Sequence, residues 1–257
     1  MRGNRYIVFI SAILLLVIWQ VASLVVDSAI LLPSPIAAIG VLISYLSEAV
    51  FWGDVWVTVL RALRSFILTM AAGITLGLLS GMVTKVRYML SPLITVVRSV
   101  PVMSVILLAF IWFESGTVPV FAAFLMSFPI IFENTFQGIA QTDGRLLEMA
   151  AVYGLSRRQK LVHIYVPSLL PFLAAGARGT IGMTWKVVIA AEVLTVPKRG
   201  IGSAMQFSQI NLETSQVMAW TVTAVLLSGA SQVLFSLLLR RLRRRRMLPG
   251  EGRGGQG

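Results

Sequence analysis

The chain reads as an all-α polytopic membrane protein with about six transmembrane helices, and three observations predict this. Its 257 residues are 57% hydrophobic and only 12% charged, with a mean hydropathy of +0.85, too apolar for a soluble domain of this length. The apolar residues gather into runs near the roughly 20 residues that a spanning helix needs. Lys and Arg collect in alternate connections between those runs, as the positive-inside rule requires. Cysteine is absent, which excludes a disulfide framework, a thiol nucleophile and a cysteine metal site.

The first span is Tyr6 to Val26, preceded by Arg2 and Arg5, and it lacks a small-residue cleavage site, so it reads as a retained anchor rather than a signal peptide. Asp27 to Trp56 carries Pro33, Pro35, Asp27, Glu48 and Asp54 and no Lys or Arg, the composition of an external loop. Residues 1–56 therefore form an anchor helix and external loop, and 57–239 the core. Span two, Thr58 to Val83, holds Gly73, Gly77 and Gly81 at four-residue intervals, which strips one stripe to backbone and places this helix inside the bundle. A basic loop with Lys85, Arg87 and Arg98 follows. Span three, Val100 to Phe113, is short and opens on Pro101, and the turn Glu114 to Thr117 leads into span four, Val118 to Ile139, where Pro129 predicts a bend.

The stretch from Arg145 to Pro167 interrupts the apolar pattern. Leu147, Ala150, Ala151 and Gly154 share one helical face at spacings of three and four, a face small enough for close approach by another surface. Gly154 suits the left-handed residue that ends a helix, Ser156 with Gln159 forms a capping box that restarts one, and Pro167 suits the start of a further helix. Two short helices meeting at a bend between two spans predict a docking surface. Span five, Ser168 to Val196, has Gly176, Gly179 and Gly182. A polar connection, Lys198 to Ser215, precedes span six, Gln216 to Leu239, and 240–257 is a basic tail with a Gly-rich, disordered end.

Orientation follows from the charges. With a cytoplasmic N-terminus, sixteen of the 22 Lys and Arg lie inside and only Lys198 and Arg199 outside, the other four falling within spans. Both termini and the Arg145–Pro167 loop are then cytoplasmic. The arginine cluster follows a span directly, where anionic lipid and retention inside account for it, so the charge of +12 does not indicate nucleic acid.

Catalytic chemistry finds no support. The sequence has neither a Gly-x4-Gly-Lys-Ser/Thr phosphate loop nor a Gly-x-Ser-x-Gly elbow, and the lone His163 has no acidic or histidine partner at ligand spacing. The charges within spans invite individual readings, since each costs about 2.5–3.5 kcal/mol at mid-membrane unless paired or hydrated. Glu133 and Arg178 lie at similar depths, either bracing the helices beside the loop as a pair or each meeting water or backbone alone. Arg61, Arg64, Lys186 and Glu192, nearer the outside, form either a polar vestibule suited to an anion or a Glu192–arginine pair with the others reaching the headgroups. Ser99, Phe128, Phe132, Met183 and Trp185 fall near breaks in the spans, where pathway lining is expected, though aromatic and Met residues there also suit core.

The loop also carries a resemblance. Glu148, Met149, Ala150, then Gly154, and after nine residues Ile164, Tyr165, Val166 and Pro167 resemble the Glu-Ala-Ala signature of bacterial ABC-importer permeases, with Met149 and Val166 as substitutions at preserved spacing. Trp185 to Glu192 with Arg199 to Gly202 is similar to the nitrate, sulfonate and taurine branch. The resemblance implies a type I ABC-importer permease bundle in the bacterial inner membrane. It implies that Glu148, Met149, Ala150, Ala151, Gly154, Leu155, Ile164 and Pro167 dock an ATPase pair that holds ATP and Mg, with no cofactor or metal bound by this chain itself. A second permease copy, most simply a homodimer, and an external solute-binding protein are implied partners. A secondary transporter or a membrane-embedded enzyme are the alternatives, but inverted repeats and convergent catalytic groups are not visible.

Overall fold

A computed structural model describes residues 3–246, and among these the regular elements are helical. They are α1 (Gly3–Val26), α2 (Pro35–Tyr45), α3 (Ala49–Met82), α4 (Thr84–Ser99), α5 (Val102–Trp112), α6 (Val118–Ala140), α7 (Gly144–Val152), α8 (Arg157–Lys160), α9 (Val166–Thr195), α10 (Ile201–Ile210) and α11 (Thr214–Arg246). Four helical stretches, Ala49–Met82, Val118–Ala140, Arg157–Thr195 and Thr214–Arg241, are long and apolar enough to cross a membrane, and α4 with α5 makes a fifth if that bent pair is one span.

The core is a three-helix seam in which α6 packs along both α3 and α9. Glycine makes the contact with α3. A Cβ at Gly73 would lie 2.6 Å from Ile131 Cγ2, one at Gly77 2.6 Å from Thr135 Cβ, and one at Gly81 2.6 Å from Ile139 Cβ, so the predicted stripe is the surface on which α6 rests. The α6–α9 contact works likewise: a Cβ at Gly176 would meet Asn134 Cβ at 2.9 Å, and one at Gly138 would meet Leu169 Cδ1 at 2.7 Å. A buried hydroxyl pair, Ser127 and Thr184 at 3.3 Å, adds a polar tie between α6 and α9.

Several elements differ from the sequence expectation, each for a physical reason. Helix α3 begins at Ala49, inside the stretch expected to be a loop, and α2 occupies Pro35–Tyr45 with Ser34 accepting from Ala37 N as its cap. The expected basic loop after span two is helix α4. Arg87 and Arg98 fall on the same side of this helix as the buried Ile94 and reach α6, Arg87 through Glu133 and Arg98 through Pro129 O, while Lys85 lies on the opposite, exposed side. The Val100–Pro101 step turns the chain by 102° into α5, so span three is the second arm of a broken element. The connection after span five contains α10, and helix α11 continues through Arg240 to Arg246, the start of the stretch expected to be a tail. Met247–Gly257 lie outside the described residues, as do Met1 and Arg2. Pro167 does not start a fresh helix: α8 runs through a π-helical turn at Leu161–Tyr165 into α9, with Val166 N donating to Leu161 O. Helix α6 passes Pro129 as one helical segment.

Candidate coupling surface and outer lock

The two ends of α9 carry different constructions. At its start, the chain leaves α6 and is capped by Asp143, whose Oδ1 accepts from Arg145 N at 2.9 Å to begin α7. Helix α7 stops in a Schellman arrangement: Leu155 N donates to Ala150 O at 2.9 Å and Gly154 N to Ala151 O at 3.1 Å, with Gly154 at φ +64°. Helix α8 restarts in a reciprocal capping box, Ser156 N to Gln159 Oε1 at 2.8 Å and Gln159 N to Ser156 Oγ at 3.3 Å.

The small residues of α7 do not all face outward. Ala150 is fully buried, Leu147 half-buried and Ala151 exposed, and Ile164 is buried in the π turn. The outward side instead presents Leu146, Met149, Val152 and Tyr153 around the exposed Glu148, with Val152 85% and Tyr153 76% exposed. Leu155 is half-buried and Pro167 exposed. The small-residue face is therefore divided, with Ala150 and Leu147 packed against the chain and Ala151 and Gly154 exposed, and the larger apolar residues form a further free side. Alternating Leu146, Met149 and Tyr153 at three- and four-residue spacing was the overlooked signal.

On the half of α6 nearer α7, Glu133 is paired with Arg87 of α4, Nη1 to Oε2 at 3.2 Å, and not with Arg178. Equal depth did not fix helix rotation: Glu133 turns toward α4, while Arg178 lies on the exposed side of α9. The Arg87 guanidinium also lies 3.8 Å from the Phe136 ring centroid. From Glu133 a ladder descends α6, Gln137 Nε2 donating to Glu133 Oε1 at 2.9 Å and Gln141 Nε2 to Gln137 Oε1 at 3.2 Å, two residues short of the cap of α7.

At the other end of α9, Glu192 is fully buried and occupies the centre of a lock. It accepts from Arg61 Nη1 at 2.6 Å, from Thr58 Oγ1 at 2.9 Å and from Gly202 N at 3.0 Å. Arg61 also donates through Nε to Gly116 O in the α5–α6 turn and through Nη1 to Arg199 O. Asp54 accepts from Gly200 N and Thr58 Oγ1 from Ile201 N, so the first N–H groups of α10 end on side chains of α3 and α9. Gly200 is required here twice over, by φ +148° and because a Cβ would lie 2.7 Å from Glu192 Cδ. Of the two readings of the outer charges, Glu192 takes the paired one with Arg61; Arg64 and Lys186 remain exposed.

The residues expected to line a pathway separate into two groups. Phe128 and Trp185 are buried packing, Phe128 beside the fully buried Phe132 and Trp185 donating Nε1 to Ser231 Oγ of α11 at 3.2 Å. Ser99 and Lys186 are exposed, and Met183 is half-buried on the same side of α9 as Arg178, Gly179, Gly182 and Lys186.

Comparisons with known proteins agree with this architecture. The family profile described as binding-protein-dependent transport system inner membrane component matches residues 73–247. The chain is 30% identical over 229 residues to the putative aliphatic sulfonates transport permease protein SsuC of Escherichia coli (strain K12), covering 87% of each chain. It is 28% identical over 240 residues to the taurine transport system permease protein TauC of the same strain, covering 91% of this chain and 86% of that one. Among solved structures, an inward-facing MetNI methionine ABC transporter chain shares the fold with a TM-score of 0.59 at 16% identity, covering 77% of this chain and 98% of that one. With the membrane helices, the loop signature and these relatives together, the chain belongs to the binding-protein-dependent transport inner membrane components and is a permease subunit of an ABC importer, not an enzyme.

Proposed function

We propose that this permease docks an ABC ATPase through the outward face of α7 and α8, that two copies of the chain enclose the pathway, and that the cargo is a small anion of the sulfonate, nitrate or taurine kind. The observation that carries the reading is the turn at Gly154: two short capped helices hold Met149, Val152 and Tyr153 outward at the inner end of α9, around an uncommitted Glu148. ATP and Mg belong to the ATPase pair, and Glu148, Met149, Ala151 and Leu155 are the residues nearest to it in this reading. Ala150, Gly154, Ile164 and Pro167 shape the surface from behind. The charge asymmetry supports a cytoplasmic side for this end and for both termini.

The pathway assignment rests on α9. Arg178 and Lys186 are exposed and have no carboxylate within 4 Å among the described residues. Facing lipid, each would cost about 2.5–3.5 kcal/mol, so this side is kept from lipid by water and by a second copy, with the half-buried Gly182 and Met183 along the same stripe. Cations along an aqueous path select anions, and the cargoes in the names of the relatives are aliphatic sulfonates and taurine. A solute-binding protein on the outer face, as the family description names, supplies the solute. In vesicles containing the permease, its ATPase and its binding protein, Lys186→Gln lowers uptake of labelled sulfonate about tenfold, the loss of about 1.4 kcal/mol, while the ATPase still co-purifies. Unchanged uptake in both Lys186→Gln and Arg178→Gln would remove the α9 stripe from the pathway.

A further inference from the structure

A groove of about 330 Å³ runs between α3, α9 and α11. Its floor is buried and its rims are open: Ala62, Ile181 and Trp185 are 5–8% exposed, whereas Leu63, Leu234 and Leu238 stand at 51%, 70% and 53%. The polar side-chain atoms along it are already engaged. Trp185 Nε1 donates to Ser231 Oγ at 3.2 Å, Ser231 Oγ donates in turn to Leu227 O at 2.7 Å, and the Thr184 hydroxyl is paired with Ser127. Phe66 and Phe235 meet edge to face at 6.2 Å. Nothing along this surface asks for a polar ligand, so what fills it is an alkyl chain or an apolar helix.

Two observations select the alkyl chain of a lipid. The first is depth: all three walls belong to helices long and apolar enough to cross a membrane. The α11 wall, Ser231 to Leu238, rises about 10 Å, which fits within one leaflet of a hydrocarbon core about 30 Å thick. The second is charge at one end. Arg240 and Arg241 open the arginine cluster directly after Leu238 and Leu239, both exposed and both without a carboxylate within 4 Å among the described residues. Arg241 follows Leu234 by close to two full turns, so it continues the rim of the groove. An apolar slot that ends on a guanidinium has the form of a phospholipid, tail in the slot and phosphate at its mouth. The second copy is assigned another surface: the groove takes Ile181 and Trp185 from α9, whereas Gly179, Met183 and Lys186 lie on a different side of that helix.

We propose that this groove binds one anionic phospholipid per chain, with an acyl chain along Leu63, Trp185 and Leu234 and the phosphate on Arg241. The arginine cluster alone gathers anionic lipid in general; the groove gives one molecule a fixed place against α3, α9 and α11. Because lipid tails are as apolar as the leucines they touch, the tail sets the position and the headgroup sets the preference, about fivefold for one arginine.

Native mass spectrometry of the purified full chain in detergent, titrated with phosphatidylglycerol and with phosphatidylcholine of the same acyl chains, tests this. One phosphatidylglycerol per chain is expected to be retained, about fivefold more tightly than phosphatidylcholine. Arg241→Gln should abolish that preference, and Leu63→Trp should fill the groove and weaken both lipids about tenfold. Both positions are exposed, so both variants should keep the wild-type melting temperature. Lys85→Gln, on the exposed side of α4, should change neither lipid, and inorganic phosphate, which has no tail, should not displace phosphatidylglycerol. A preference that survives Arg241→Gln overturns the proposal, as does displacement by inorganic phosphate. Retention that survives Leu63→Trp also overturns it, leaving the arginine cluster as a general attractor of lipid. Absence of retained phosphatidylglycerol overturns it as well, and separation of paired copies in Leu63→Trp would then give the groove to a second copy. In detergent both ends of the bundle are open and no ATPase is present, so failure here leaves the orientation and coupling readings intact.

Discussion

Glu192 and Arg61 show how much a single pair of residues determines. Both are buried, and between them they bind the α5–α6 turn, the α9–α10 loop and the Gly202 N–H of α10. A buried pair adds little over a well-packed apolar one, but removing one partner strands the other charge away from water, at a cost of about 3–5 kcal/mol. Glu192→Gln is therefore expected to lower the unfolding free energy in detergent by that order, and Arg61→Met with Glu192→Leu to recover part of it. A neutral outcome in Glu192→Gln would mean that water replaces the carboxylate. Neither partner identifies the other in the sequence. They are 131 positions apart, and four outer charges were available to pair. Gly154, by contrast, was legible, because a Schellman end and a capping box are written within seven residues.

At the scale of elements, the informative connection runs from the coupling surface up α6 to α4. Gln141, Gln137 and Glu133 occupy one face at four-residue spacing, and Arg87 joins that face to α4, which turns by 102° into α5. This row lies on a different face of α6 from Ile131, Thr135 and Ile139, which rest on the glycine stripe of α3. The Arg87–Glu133 pair is about a quarter exposed, so its contribution is modest, supported by the Phe136 ring. A double-mutant cycle with Arg87→Met and Glu133→Gln should give a coupling energy of about 1 kcal/mol in thermal unfolding. A coupling energy indistinguishable from zero would make the row ornamental. The partner of Glu133 was not legible in the sequence for a definite reason: counting residues from a helix end gives depth, whereas rotation about the axis depends on packing that only the folded bundle sets. Helix α4 was missed because three basic residues and Pro92 in a sixteen-residue stretch resemble a loop until the buried Ile94 and Val97 are seen on one side.

The whole molecule is a permease half-built for company. Its outer lock is satisfied from within, but Arg178 and Lys186 face outward within a span, and the apolar face of α7 has no cover in the described chain. The membrane class, the glycine stripes and the position of the loop were readable because hydropathy and small-residue spacing act locally along one helix. Which face of each helix meets the others was not, and this is why Phe128 and Trp185 proved to be packing while the large apolar residues of α7, beside the exposed Ala151 and Gly154, make most of its free surface. The central claim, that α7 and α8 receive the ATPase, is tested most directly by co-purifying the tagged chain from its native membrane, wild type beside Glu148→Arg. Glu148 is exposed and outside the bundle, so the variant should insert and fold as wild type does. The account predicts an ABC ATPase recovered with the wild type and lost, by at least tenfold, from Glu148→Arg. Equal recovery of that ATPase with both chains would contradict it.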